Sequence, residues 1–288
     1  MSAEVRAPSR AQTIGRRRRR LAHVLLILGA VVMTYPLLWM LASSLKPETE
    51  IFTQPDLWPN DWDFGNYAEG WRGIGETFGL FLINSTYISA FSIIGNVLSC
   101  SMAAYAFARL DFRFKKIWFA AMLATVMLPN HVTLVPQYTI FNSLGWINSY
   151  LPLIVPNFLG TAAFFIFLMV QFIRGLPGDL DDAARVDGCG PFKTYLYIIM
   201  PLLTPALVTT TIFTFIWSYN DFFSQLIYIS DTSLFTVPLG LRLFLDAAGE
   251  SSWGPMLAMG VLALVPVFVL FLAFQRLIVE GIATTGLK

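Results

Sequence analysis

The sequence predicts an all-α membrane protein, a six-helix transmembrane bundle with a cytoplasmic helix-turn-helix loop. Three observations carry that prediction. Of 288 residues 56% are apolar and 13% charged, against about a quarter charged in a soluble domain. Six apolar stretches reach the roughly 20 residues that a spanning helix needs, at about 1.5 Å of rise each across about 30 Å of hydrocarbon. The basic residues, finally, gather on one side of those stretches.

The stretches cover 21–42, 78–107, 117–135, 151–173, 202–223 and 253–274. The first follows the arginines of 16–20 and is longer than a signal-peptide core, so it reads as an uncleaved span. The second holds Ser99, Cys100, Ser101, Ala103, Ala104, Ala106 and Ala108, small residues that let helices approach closely in lipid. Pro36, Pro129, Pro156, Pro205 and Pro266 interrupt the others or the first, so the bundle should be irregular, with neighbouring helices satisfying the freed carbonyls.

With the amino terminus inside, sixteen Lys and Arg residues fall on inner segments and three, Lys46, Arg72 and Arg242, on outer ones. The positive-inside rule then puts both termini in the cytoplasm. The expected organisation is a basic tail at 1–20, disordered over 1–15, and a first transmembrane helix at 21–45. An extracytoplasmic loop at 46–77 follows, then a five-helix core at 78–278 that includes a loop at 175–201, and a cytoplasmic tail at 279–288. The loop 46–77 carries seven carboxylates against Lys46 and Arg72, with Trp58, Trp62, Tyr67 and Trp71; it reads either as a solvated cap on the membrane surface or as a docking surface for an extracytoplasmic partner. Cys100 lies in a span and Cys189 on the cytoplasmic side, so no disulfide is expected.

The polar stretch between the fourth and fifth spans is the most informative. Leu176-Pro177-Gly178 breaks the preceding helix and Asp179 can cap a new one, with Asp182 at capping-box spacing. Asp181 and Asp182 suit the positive end of the helix dipole. Gly188 can take the left-handed conformation that ends a helix, and Pro191 fits the first turn of the next. The prediction is a short helix, a glycine turn and a second helix, with a small Ala183-Ala184 face open to close approach by another protein.

The spacing of this stretch, Asp182-Ala183-Ala184, three residues, Gly188, nine residues, Ile198, one residue, Met200-Pro201, resembles the Glu-Ala-Ala motif of ATP-binding-cassette importer permeases. Asp182 stands where that motif has Glu, and Met200 where it has Leu. Ala104 to Leu110, Trp217, Asn220-Asp221-Phe222 and the stretch from Gly281 to Lys288 are similar to the smaller permease subunit of maltose-type carbohydrate importers. The resemblance implies a second, larger permease alongside, a dimer of ATPase subunits that uses ATP and Mg, and an extracytoplasmic solute-binding protein that delivers a carbohydrate. It also implies the cytoplasmic membrane of a bacterium or archaeon as the location. It places Asp182, Ala183, Ala184 and Gly188 in a cleft of the ATPase, with Arg185 and Asp187 at the rim and Ile198 and Pro201 closing the motif. No cofactor is expected on this chain and no nucleic-acid partner.

In the fifth span Thr209, Thr210, Thr211, Thr214, Ser218, Asn220, Asp221, Ser224 and Gln225 make one polar series. Polar groups in lipid are expensive unless they face a partner or water, so Thr211, Thr214, Ser218, Asn220 and Asp221 are candidates for a translocation path. Asp221, roughly 30 Å of helix past Pro201, is expected near the outer interface, as a gate or as an interfacial carboxylate. The hydroxyls of Thr211, Thr214 and Ser218 can instead bond back to carbonyls one turn earlier. Asn84, Asn96, Asn130 and His131 read as hydrogen-bonding groups of the bundle. An intramembrane enzyme would need catalytic groups at one depth, and two His and two unpaired Cys supply no such set. An ion-coupled secondary carrier, the alternative function, would need buried charges and repeats that the sequence lacks. No Gly-x-x-x-x-Gly-Lys-Ser/Thr loop is present, so ATP hydrolysis falls to a partner.

Overall fold

A computed structural model of the chain describes residues 10–54, 56–73, 75–246 and 252–285. Within helices the side chains of Asn130 and His131 and several near the carboxyl end lie outside the described set, as do the tail residues 1–9 and 286–288.

Every regular element among the described residues is helical. In chain order they are α1 (Arg10–Ser43), α2 (Glu48–Ile51), α3 (Gly65–Arg72), α4 (Phe78–Arg109), α5 (Lys115–Val126), α6 (Asn130–Ser143) and α7 (Leu151–Ile154). A 3₁₀ turn at Val155–Leu159 leads to α8 (Ala163–Arg174), α9 (Asp179–Val186) and α10 (Pro191–Thr194). A π-helical turn at Tyr195–Ile199 joins α10 to α11 (Met200–Leu202), and α12 (Thr204–Tyr219), α13 (Phe223–Tyr228), α14 (Val237–Asp246) and α15 (Trp253–Thr285) complete the chain.

Among the described residues four helical stretches are long and apolar enough to cross a membrane: Leu21–Ser43, Phe78–Arg109, Leu151–Arg174 and Trp253–Gln275. A fifth is obtained by joining Pro191–Leu202 to Thr204–Tyr219, which meet at 77°. The expected third span, 117–135, is instead two helices, α5 and α6. Pro129, in an extended conformation, separates them, because proline offers no N–H to continue a helix and pushes the residue before it out of the helical region. The 12-residue α5 is about 18 Å long and falls short of the hydrocarbon thickness. Two boundaries also move outward: α1 begins at Arg10, inside the tail expected at 1–20, and α15 runs to Thr285, inside the tail expected at 279–288.

Helix α4 is the axis of the bundle. It packs against α12, α8, the Val155–Leu159 turn and α14. Its buried face is a stripe of small and polar residues, Ser85, Ser89, Ser92, Gly95, Asn96, Cys100, Ser101 and Ala104, the close-approach surface that lipid-embedded helices use. A Cβ on Gly95 would lie 2.8 Å from the Phe158 ring and 3.0 Å from the Asn157 carbonyl carbon, so only glycine lets the turn come this near. The polar side chains on this face bind other segments. Asn84 donates to the carbonyls of Ser233 (3.0 Å) and Phe235 (2.9 Å), and Asn96 donates to Thr214 Oγ1 (3.3 Å). Two apolar clusters flank α4. One, around Tyr105, Phe165, Met169, Tyr195, Ile199 and Leu203, joins it to α8 and the α10–α12 arm. The other, around Phe78, Phe81, Phe215, Phe244 and Met259, joins it to α12, α14 and α15.

The described residues of the segment 46–77 are tied down by specific contacts. Lys46 is fully buried, and its ammonium donates to the carbonyls of Gln54 (2.8 Å) and Asp56. Asn66 donates to the carbonyls of Ser44 (3.1 Å) and Lys46 (2.9 Å). The Glu48 carboxylate accepts from the backbone N–H groups of Trp253 and Gly254, 2.9 Å each, at the start of α15. Those N–H groups have no partner inside the helix, so Glu48 ties the end of α1 to the beginning of α15.

Candidate functional site

The segment 175–201 folds as two helices around a glycine turn. Helix α9 starts without a side-chain cap: Gly178 is already in right-handed helical conformation, and its carbonyl accepts from Asp181 N (2.9 Å) and Asp182 N (3.4 Å). Asp179 is therefore the first helical residue, and the capping box expected of Asp179 and Asp182 does not form. The three aspartates of the first turn, Asp179, Asp181 and Asp182, still lie where the helix dipole favours negative charge.

The end of α9 is a Schellman turn. Gly188 has φ +75°, its N–H donates to Arg185 O (3.0 Å), and Cys189 N donates to Ala184 O (2.8 Å). Gly190 then caps α10, with Pro191 in the first turn. Past Thr194 the helix widens into the π turn Tyr195–Ile199, and Pro201 follows within α11. Tyr195 anchors the arm to α4: its hydroxyl lies 2.8 Å from Ser101 Oγ, and its ring 5.6 Å from that of Tyr105.

The sequence-predicted residues divide between inside and outside. Asp182, Ala183, Arg185, Asp187, Gly188 and Pro201 are exposed, and Ile198 is half-buried. Ala184 is only 2% exposed, so the expected Ala183-Ala184 docking face is halved: Ala183 faces out while Ala184 packs against the chain itself. Val186 and Phe192, at 88% and 65% exposure, extend the outward surface in its place. Asp182 and Arg185 pair with each other at 3.3 Å, both well exposed, a contact worth little in water.

A stronger contact was invisible in the sequence. Arg109, the last residue of α4, sets Nε 3.0 Å from Asp181 Oδ2, with both side chains largely buried. Its Nη2 donates to Leu176 O at 2.8 Å and approaches Pro177 O at 3.4 Å. One guanidinium thus holds both the carbonyls ahead of α9 and a carboxylate of its first turn, fixing that helix to the end of α4. A cavity of about 140 Å³ opens beside this pair, between Tyr105, Asp182, Arg185 and Cys189.

The candidate path residues are less uniform. Ser218 and Asp221 line a cavity of about 470 Å³ with Gln137, Asn157, Trp217, Ser224 and Tyr228. Helix α12 stops at Tyr219, so Asp221 is in the break before α13, where its Oδ1 accepts from Ser224 N at 3.1 Å. Thr214 is buried and accepts from Asn96, Thr211 is half-buried, and Asn220 is exposed, donating back to Ile216 O at 2.8 Å. Bonding to carbonyls one turn earlier occurs at Thr209, with Pro205 O at 2.9 Å. Just beyond α13, Asp231 accepts from the Ser233 N–H (2.9 Å) and hydroxyl (2.8 Å), which hold its carboxyl below the ordinary carboxylate range. Among the described residues no group of His, Cys, Asp and Glu has the clustering to hold a metal ion.

Comparison with known proteins places this architecture. Residues 95–284 match the profile of the family described as "Binding-protein-dependent transport system inner membrane component". The chain is 35% identical to the probable ABC transporter permease protein YurM of Bacillus subtilis, over 92% of this chain and 87% of that one. It is 31% identical to the trehalose/maltose transport system permease protein MalG of Thermococcus litoralis, over 93% and 98%. Among solved structures, a chain of a bacterial ABC transporter involved in the import of the acidic polysaccharide alginate superposes with a TM-score of 0.79, at 19% identity, covering 94% of this chain and 99% of that one. The superposition establishes the fold, the relatives and the profile establish the lineage, and the chain belongs to the binding-protein-dependent transport system inner membrane components, the permeases of ABC importers.

Proposed function

We propose that the chain is one of two permease subunits that together form the path for a carbohydrate across the cytoplasmic membrane of a bacterium or archaeon, driven by partner ATPases that use ATP and Mg. In this reading α9 and α10 face the cytoplasm with both termini, and an extracytoplasmic binding protein delivers the sugar to the opposite side. The six crossings count α5 with α6 as the third and the bent arm with α12 as the fifth. Relatives whose names specify trehalose/maltose, diacetylchitobiose and arabinooligosaccharides support a carbohydrate cargo.

The observation that carries the reading is the folded form of residues 182–201. The motif spacing becomes a Schellman turn at Gly188 that presents Ala183, Arg185, Val186 and Asp187 outward, while Arg109 and Tyr195 bolt the two helices to α4. A rigid, exposed projection on the end of a bundle is what a soluble motor subunit needs in order to push on its permease. The test is gentle purification from the native membrane with mass spectrometry of stoichiometric companions. A second permease and an ATPase are expected. Recovery of this chain alone, folded and still transporting, would overturn the proposal in favour of an ion-coupled carrier.

A further inference from the structure

The cavity between α4, α6, the Val155–Leu159 turn and the α12–α13 break has a volume of about 470 Å³, within the roughly 300–1,000 Å³ of small-molecule sites. Its wall combines the aromatic side chains of Phe141, Trp217 and Tyr228 with planar polar groups from Gln137, Asn157 and Asp221. A sugar ring has the matching duality: C–H faces that lie against aromatic rings and a rim of hydroxyls that both donate and accept.

The polar groups have capacity to spare. Asp221 uses Oδ1 on Ser224 N (3.1 Å), which leaves Oδ2 for a ligand hydroxyl. Asn157 spends its amide protons on Leu153 O (2.9 Å) and Ser92 Oγ (3.1 Å), leaving Oδ1 to accept. Gln137 makes two long contacts among the described residues, accepting from the Tyr228 hydroxyl at 3.4 Å and donating to Thr133 Oγ1 at 3.5 Å, and it can exchange both for a ligand.

The charge is one-sided. Among the described residues that line the cavity, Asp221 carries the only formal charge, and none is Lys, Arg or His. An anionic ligand would meet a carboxylate in low-dielectric walls with no cation to offset it.

We infer that this cavity is a saccharide site built within the chain itself, which takes an uncharged sugar unit and turns away sugars that carry a phosphate, sulfonate or uronate. The inference rests on the carbohydrate-importer reading and adds to it the charge class of the cargo and direct contact by this subunit.

The test uses the whole assembly in membrane vesicles, with Ser224→Cys introduced into a Cys189→Ser background, so that a maleimide reports access to the cavity; Cys100 is fully buried. The probes are maltotriose and diacetylchitobiose, against glycerol 3-phosphate and a uronate disaccharide. A neutral probe is expected to slow labelling at least tenfold while the anionic probes do not, and Asp221→Asn is expected to shrink that preference at least tenfold. If the Ser224→Cys assembly fails to form, Gln137→Cys reads the same cavity. Protection by the anionic probes, or equal labelling with and without every neutral probe, overturns the inference. The importer reading fails separately: it falls if vesicle uptake is indifferent to ATP, whatever the labelling shows.

Discussion

The glycine turn offers the sharpest test of how the projecting helices work. At Gly188, φ is +75°, and a Cβ built there meets nothing within 4 Å. A Cβ therefore adds no clash within this chain, and its cost there is confined to the backbone. An L-residue in the left-handed region costs about 1–2 kcal/mol, with a β-branched side chain at the top of that range and Asn near the bottom. A shift of that size changes the ratio of formed to unformed turn roughly 5- to 30-fold. Because the Schellman bonds from Gly188 N and Cys189 N, 3.0 and 2.8 Å, set the angle between α9 and α10, losing the turn misdirects α9 without disturbing the buried bundle. The expected order of ATP-driven uptake into vesicles is therefore Gly188 and Gly188→Asn together, then Gly188→Ala, then Gly188→Val nearly inactive, with equal amounts of protein in the membrane. Uptake by Gly188→Val at the unsubstituted rate would refute the reasoning. So would a Gly188→Asn variant as inactive as the valine, since side-chain bulk rather than turn geometry would then matter.

Arg109→Ala strands a largely buried Asp181 and frees the carbonyl of Leu176, which should cost about 1–3 kcal/mol and lower uptake; an exchange of the two charges should recover part of the loss, and a double-mutant cycle with no interaction energy would show that the pair is idle. Removing the exposed partner in Arg185→Ala should change stability by less than about 0.5 kcal/mol in thermal melts. Glu48→Ala strips two N–H partners from the start of α15, an expected loss of about 1–2 kcal/mol, seen as faster proteolysis within 46–77; unchanged cleavage would mean that Lys46 and Asn66 alone hold the segment. Asp231 has a lowered pKa, so its support of the Ser233 turn is present above the ordinary carboxylate range and lost as pH falls through the lowered value. Protection of the Ser233 amide from exchange should persist through the ordinary carboxylate range and drop only at more acid pH, and Asp231→Asn should remove that acid dependence.

How much of this could be read beforehand varied with the range of the interactions. The apolar runs marked α1, α4, α8 and α15 well, because a spanning length of one polarity is a local property. The third run hid its break because Met127-Leu128-Pro129 is as apolar as its surroundings: hydropathy sees no interruption where the backbone, at Pro129, has one. In the fifth, Pro201 stood in plain view, yet a proline fits the first turn of a helix as well as it marks a break, so the 77° bend after Leu202 was not legible. The glycine turn was legible at Gly188 and Pro191 because both residues have few conformational alternatives. The inward turn of Ala184 was not, since alanine suits either face of a helix. Nor was the Arg109–Asp181 pair, whose members are far apart in sequence and meet only because α4 and α8 run side by side. The 470 Å³ cavity likewise draws Gln137, Asn157 and Asp221 from separate elements, and of its lining only Ser218 and Asp221 were candidates for the path beforehand.

The bend at Leu203 has a mechanical meaning. Pro191–Leu202 is an arm about 18 Å long at 1.5 Å per residue, jointed at 77° to a second arm, Thr204–Tyr219, beyond whose end sits Asp221. Leu203, with no exposed surface, sits at the elbow between them. If the two arms turned as one body, a tilt of about 10° at this elbow would carry the far tip of the first arm through about 3 Å and swing the second arm, which carries Trp217 and Ser218 of the cavity wall, through the same angle. Under such a rigid motion the displacements of the two ends would stand in the ratio of the arm lengths, so a turn inserted in or deleted from α12 would alter the travel at Asp221 while leaving that of the tip at Gly190 unchanged.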